Sequence, residues 1–285
     1  MAQTGVLNQL TVVKQVPFGV YLDAGELGEV LLPSKFVPSD CEPGSQVEVF
    51  LYTDSEDMII ATTVKPKAMV GEFAYLPVID VSRHGAFMDW GLDKDLLVPF
   101  NQQRVPMESG RNYVVHIYRD QHSERIAASA KLDRFLDKKT PRFARGDKVS
   151  VLIAQRTDLG YKAVVNNAFW GVIYNNEVFK PIRVGQKHTA YIKQVREDGR
   201  IDISLQPGQQ AQMDDVSQAI LNHLEAHDGV SSLNDKSDPA VISKVFGVSK
   251  GVFKRAIGGL FKAGLIEISK QGIRLVQDNA ESDFD

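Results

Sequence analysis

Aromatic side chains set among lysines and arginines are the residues of this 285-residue sequence whose types and spacing could do chemistry. Phe18 and Tyr21 stand near Lys14 and Lys35, and His84 and Phe87 near Arg83 and Arg104. Tyr161, Trp170 and Tyr174 lie among Arg142, Arg145, Lys148, Arg156, Lys180, Arg183, Lys187, Lys193, Arg196 and Arg200. A last basic set comprises Lys250, Lys254, Arg255, Lys262, Lys270 and Arg274. Flat rings stack on unpaired bases at about 1–3 kcal/mol each, and cations follow a phosphate backbone, so this mixture fits single-stranded nucleic acid. The alternative for each ring is a place in a β core or between domains.

A catalytic reading finds little. There is no phosphate-cradling Walker loop, nucleophile elbow or paired-histidine metalloprotease helix. His223 and His227, four apart on one helix face, could share a metal, but no third ligand accompanies them. A helix dipole favours such residues near a C-terminus without any metal. Asp54, Glu56 and Asp57 fall in a hairpin turn, where acidic residues are common. A nuclease would need carboxylates grouped in space around a divalent ion, which nothing in the pattern requires. Cys41 is the one cysteine; it can form neither an internal disulfide nor a cysteine-rich zinc site and reads as a small buried hydrophobe. No enzyme activity, metal or cofactor is expected.

A hydrophobic content of 43% with 24% charged residues implies packed cores and excludes wholesale disorder. No apolar run approaches the ~20 residues that cross a bilayer, and the start lacks a basic or apolar leader, so a cytoplasmic location is expected. The net charge of −3 hides an asymmetry. Residues 1–137 hold 12 Lys and Arg against 19 Asp and Glu, whereas residues 138–276 hold 21 against 13. A basic half behind an acidic half points to a polyanionic partner for the C-terminal part, scattered solvated charge being the alternative. The last nine residues carry four acids and no base and are expected to fray.

The elements that must position these side chains come in repeats. Glycines stand 25 residues apart at Gly19 and Gly44, Gly85 and Gly110, and Gly160 and Gly185, with offsets of 66 and 75. The same shifts superpose Leu31, Leu97 and Val172, then Ile60, Ile126 and Ile201, then Thr63, Ser129 and Ser204. Each unit alternates as five short strands in about 60 residues. Closing five strands into a Greek-key barrel removes exposed edges, which gives the OB architecture, with an SH3-like barrel as its competitor.

Pro17-Phe18-Gly19-Val20-Tyr21-Leu22, Gly28-Glu29-Val30-Leu31-Leu32-Pro33 and Pro43-Gly44 resemble the RNA-binding repeat of ribosomal protein S-one. The resemblance places that family's second-strand aromatics at Phe18 and Tyr21 and at His84 and Phe87. Its loop histidine is replaced by Pro33 and Pro99, and repeat three carries Leu159 and Lys162 at the aromatic positions. Three such repeats followed by a winged helix resemble the conserved virulence factor B family of bacteria, over about residues 4–276. The resemblance implies a regulator acting on transcripts or their processing.

The winged helix is legible in its own right. After Gln206-Pro207-Gly208 the period lengthens: Val216, Ala219, Ile220 and Leu224 form one helix face behind an acidic start at Asp214-Asp215. Asp238-Pro239 caps a second helix that Gly247 ends. Ser249 caps a third, with Val252, Phe253, Ala256, Ile257, Leu260 and Phe261 expected inward, and a hairpin follows over residues 265–276. Its outward cations could contact phosphate; base reading is poorly supported.

The expected fold is mostly β with a small α/β end, as three S-one-like OB barrels (1–66, 67–137 and 138–207), a winged helix (208–276) and a tail (277–285). The expected function is non-catalytic binding of single-stranded RNA, through Phe18, Tyr21, Lys35, Arg83, His84, Phe87, Tyr161, Trp170, Arg183, Lys193, Arg196, Arg200, Lys250, Lys254, Arg255, Lys262, Lys270 and Arg274. The alternatives are a protein-contacting adaptor whose basic half alone touches nucleic acid, and DNA binding through the winged helix. No membrane partner is expected.

Overall fold

The computed structural model describes residues 1–276 apart from 122, 179 and 208, with backbone alone for 209–212 and 214; the acidic tail lies outside the described residues. Strands β1 (Leu7–Val16), β2 (Gly19–Asp23), β3 (Glu29–Pro33), β4 (Gln46–Thr53) and β5 (Ile59–Thr62) form a closed barrel in the order β1-β2-β3-β5-β4. The second repeat has β6 (Phe73–Ser82), β7 (Gly85–Met88), β8 (Leu96–Pro99), β9 (Asn112–Arg119) and β10 (Ile126–Ser129), ordered β10-β9-β6-β7-β8. The third, β11 (Lys148–Thr157), β12 (Gly160–Val165), β13 (Phe169–Tyr174), β14 (Lys187–Val195) and β15 (Ile201–Ser204), closes like the first.

The second barrel departs slightly from the expected closure. In the first, β3 meets β5 at Leu31 and Ile60. In the second, Gln102 fills the corresponding seam: its carbonyl accepts from the Ala130 N–H at 2.9 Å and its side chain from the Ser129 hydroxyl at 2.9 Å.

The sequence offsets recur as backbone geometry. The first strand of each unit shifts register between Val12 and Lys14, Val78 and Asp80, and Ile153 and Gln155. These bulges bend the strand so that the sheet can curl on itself. At the start of the next strand, opposite Val16, Ser82 and Thr157, Gly19, Gly85 and Gly160 have φ of 154°, 144° and 147°. A Cβ on them would lie 2.1, 2.2 and 2.1 Å from the carbonyl oxygens of Leu32, Val98 and Ile173. Only glycine lets the second strand approach the third this closely.

The chain divides into two compact units, the first being Met1–Pro141, Val149–Thr189 and Arg196–Ile201; the second is Arg142–Lys148, Ala190–Val195 and the described residues from Asp202 onward. Within the first unit the barrels share apolar cores. The Phe50 ring of β4 meets Trp90 edge-on at 5.6 Å, joining the first barrel to the second. Asn167 ties the second to the third: its side-chain oxygen accepts from the Phe73 N–H at 3.0 Å and its amide donates to the Gly71 carbonyl at 2.7 Å. At this seam the His116 ring stacks on Phe135 at 4.1 Å and meets Phe73 at 4.5 Å. His116 is buried and its Nδ1 has no hydrogen-bond partner among the described residues. Desolvation pushes its pKa down to about 4.

In the second unit, α1 (Gln209–Glu225), β16 (Val230–Ser231), α2 (Pro239–Phe246), α3 (Lys250–Lys262), β17 (Ile266–Ile268) and β18 (Ile273–Leu275) form the winged helix, its sheet ordered β16-β18-β17. Asp238 accepts from the Ala240 N–H at 2.7 Å, and Gly247 ends α2 with φ of 68°. Ile220, Leu224, Ile242, Phe253, Ala256, Ile257 and Leu260 pack the core. Three expectations are corrected. α1 begins at Gln209, five residues before Asp214, because glutamine and alanine extend a helix as readily as an acidic cap starts one. Ala219 and Phe261 point outward, because neighbouring residues already fill the narrow stripe facing the core. The strand β16 went unforeseen, since two residues carry no periodicity. Cys41 is buried and free, and desolvation raises its thiol pKa.

Two measurements test these packing arguments. Gly160→Ala is expected to cost about 2 kcal/mol or more, read as a lower thermal midpoint, because strain and a backbone clash add. For His116, the folded pKa of about 4 lies below the ordinary 6.5. Between those values the unfolded chain binds a proton that the folded chain refuses, so stability falls as pH drops through that window, by up to about 3 kcal/mol. His116→Phe is expected to flatten that part of the stability–pH curve; an unchanged slope would show that His116 is not its source.

Candidate nucleic-acid interface

On the first barrel Phe18 is 55% exposed and Tyr21 half-buried, their rings 6.5 Å apart and edge-on. Tyr21 lies on the outer side of β2, since Val20 and Leu22 point inward, while Phe18 sits in the turn between β1 and β2. Lys14 lies 4.7 Å from the Tyr21 ring centre and pairs with Glu29. Lys35 lies 4.6 Å from the Phe36 ring and pairs with Asp93 of the second barrel.

On the second barrel, Arg83 and His84 are exposed neighbours, with Arg83 Nε donating to His84 Nε2 at 3.1 Å. Phe87 is half-buried in a cleft of about 470 Å³ that also takes in Tyr52, Trp90, Leu97 and Tyr118. Burial first, then Asp120, raises the Tyr118 pKa. Arg104 reaches across to the third barrel, donating to Gln155 at 3.0 Å. Sequence reasoning missed Phe100, which is 52% exposed in the turn after β8. The 66-residue offset places it level with Ser34, so the repeat register was the signal that could have found it.

The third barrel corrects two expectations. Tyr161 is only 8% exposed, because it occupies the inward position held by Val20 and Ala86 and shares a strand face with Ala163 and Val165. Trp170 is half-buried and already engaged: its N–H donates to Asp133 at 2.6 Å, and the Lys162 ammonium sits 4.1 Å over its ring. Against a desolvation that would raise it, the Trp170 N–H and the Lys162 charge hold the Asp133 pKa below the usual carboxylate range. The ring thus fastens β13 to the segment that follows the second barrel. Arg196 donates to the Tyr174 hydroxyl at 2.6 Å, and Arg200 pairs with Asp198 at 3.4 Å. Lys180, Arg183 and Lys187 are exposed without an ion pair among the described residues, and Lys193 is exposed.

On the winged helix, Arg255 and Lys262 of α3 and Lys270 and Arg274 of the wing are exposed, without ion pairs among the described residues. Lys254 lies 3.9 Å from Asp235, and Lys250 is half-buried. Phe261, 54% exposed, shares the outer side of α3. The His223 and His227 rings are 4.1 Å apart, and burial followed by the His227 charge lowers the His223 pKa. Among the described residues no three His, Cys, Asp or Glu side chains group to hold a metal, and no helix is long and apolar enough to cross a membrane.

These features define a protein of tandem OB-type barrels ending in a basic winged helix. Residues 4–64 match the S1 domain and residues 218–275 the CvfB-like winged helix domain. Along most of its length the chain is similar to the conserved virulence factor B family. It is 29% identical to Bacillus subtilis YitL over 270 residues, covering 90% of this chain and 88% of that protein. It is 26% identical to conserved virulence factor B of Staphylococcus epidermidis, covering 84% and 82%. A crystal structure of a Streptococcus pneumoniae multidomain protein with nucleic acid binding domains aligns over 96% of this chain and 98% of that one, at 25% identity and a TM-score of 0.40.

The two rings Phe18 and Trp170 should behave oppositely on truncation. Phe18→Ala is expected to stay within about 0.5 kcal/mol of the parent stability, as exposed substitutions do. Trp170→Phe is expected to cost about 1 kcal/mol or more, because it removes a hydrogen bond to a charged carboxylate and leaves, among the described residues, only Lys162, 3.6 Å away, to pair with Asp133. Thermal unfolding of both variants reads the contrast.

Proposed function

We propose that this protein binds single-stranded RNA without catalysis, as a bacterial regulator of expression, with the phosphate contacts carried by its basic rear portion. The observation that supports the reading is how the cations are used. In residues 1–137, Lys14, Lys35, Lys67, Lys94, Arg111, Arg119 and Arg125 each lie against a carboxylate of the same chain. In residues 138–276, Arg183, Lys187, Arg255, Lys262, Lys270 and Arg274 lack such partners among the described residues. A cation without an internal counter-charge releases solution ions when it meets phosphate, and that release drives polyanion binding. The S1 domain match supports RNA as the polyanion, and the exposed Phe18 and Phe100 rings offer surfaces on which unpaired bases stack. Duplex DNA along α3 is the second reading, favoured by the outward Arg255 and Lys262 on a helix followed by a wing.

Filter binding of the full chain to an unstructured RNA across a salt series tests the proposal. Arg183→Glu with Lys187→Glu, and separately Arg255→Glu with Lys262→Glu, are expected to weaken binding. Each pair should also lower the slope of log K against log salt, by about 1 for every phosphate left without its cation. Arg111→Gln in the front portion, which removes a cation already paired with Glu108, is expected to leave both unchanged. Preference for duplex DNA in direct competition would favour the second reading, and unaltered salt slopes in both double variants would overturn the assignment.

A further inference from the structure

The seam between the first two barrels carries chemistry of the opposite sign. The Phe87 cleft continues into a second one of about 480 Å³ lined by Pro33, Lys35, Phe36, Asp54, Asp93 and neighbouring residues. Tyr52, Phe87, Lys94 and Asp95 line both halves, so the two form one groove. The cations Lys35, Lys94 and Arg125 along it are already committed. Lys35 pairs with Asp93, Lys94 donates to the Asp54 carbonyl and lies 4.0 Å from Asp57, and Arg125 pairs with Asp57. Asp95, by contrast, has no hydrogen bond or ion pair among the described residues. Desolvation, then the charges of Asp89 and Asp80, raise its pKa.

Phe87 on β7 faces Leu97 on β8. Asp95 lies two residues before Leu97, just ahead of β8, and lines the same groove as Phe87. A phosphate chain entering here would meet unbalanced negative charge. An arginine guanidinium would meet an aromatic face and a free carboxylate, the two groups that recognise it by cation–π contact and by paired hydrogen bonds.

We propose that the groove between the first and second barrels docks a basic peptide segment of a partner protein, seating an arginine between Phe87 and Asp95. Charge complementarity selects this occupant, since residues 1–137 carry a net −7 and the cations named along the groove are neutralised. The site is separate from the basic surfaces assigned to RNA, so one chain can hold a transcript and a protein together.

The test uses the full-length protein and a fluorescein-labelled Gly-Ser peptide bearing three arginines, followed by fluorescence anisotropy. Glutamate-bearing and lysine-bearing peptides serve as controls. The arginine peptide is expected to bind, the lysine peptide more weakly and the glutamate peptide not at all. Asp95→Asn, a change at an exposed position, is expected to weaken arginine-peptide binding about 10-fold and leave RNA affinity unchanged. Phe87→Ala should weaken it similarly, with circular dichroism confirming the fold. No binding of the arginine peptide up to about 1 mM would overturn the proposal. So would equal affinity in Asp95→Asn, or RNA that competes with the peptide and binds more tightly once Asp95 is neutralised, an outcome that would make the groove a nucleic-acid site.

Discussion

The contact between the glycine that opens the second strand and the carbonyl of the third governs each barrel. At Gly19, Gly85 and Gly160 the backbones approach until no Cβ fits between them. A few residues before the position opposite each glycine the first strand bulges and bends, so five short strands can curl into a small barrel. The exposed ring Phe18 and the cleft residue Phe87 both sit beside this close approach. Their outward placement follows from a steric requirement three residues or fewer away in sequence. The same rule explains Tyr161, which falls on the inward phase of the strand and therefore belongs to the core.

Fusion of the barrels in the first unit removes much of the surface that isolated barrels would offer. Phe50 and Trp90 merge two cores, while Phe73, His116, Phe135 and Trp170 fill the next seam. Aromatic side chains are large enough to bridge curved surfaces that smaller residues would leave hollow. Rings recruited to this work have no free face for a base. Trp170, with Asp133 on its N–H and Lys162 over its ring, illustrates the cost to binding of using an aromatic as a fastener.

Charge divides the labour along the chain. Along the groove between the first two barrels Lys35, Lys94 and Arg125 are neutralised by carboxylates, leaving Asp95 as excess acid among aromatic rings. In the rear, Arg183 and Lys187 on the third barrel and Arg255, Lys262, Lys270 and Arg274 on the winged helix stand in solvent without an ion pair among the described residues. Opposite charges on one chain attract opposite classes of partner, and linking such sites raises the effective concentration of each bound molecule for the other.

Much of this was legible in the residues. The offsets of 66 and 75 located three repeats because every copy needs glycine at the same strained position. Asp238-Pro239 and Gly247 marked helix ends because their backbone preferences act within a few residues. Chain order and residue type thus determined the modules, their strand number and the asymmetry of charge, all of which depend on local sterics or simple sums. Only the tertiary structure decided that Tyr161 is core, that Trp170 is a fastener, that Phe100 is exposed and that Lys35 is spent on Asp93. Those outcomes depend on which surfaces meet across tens of residues, and strand periodicity carries no information about a neighbour in another barrel.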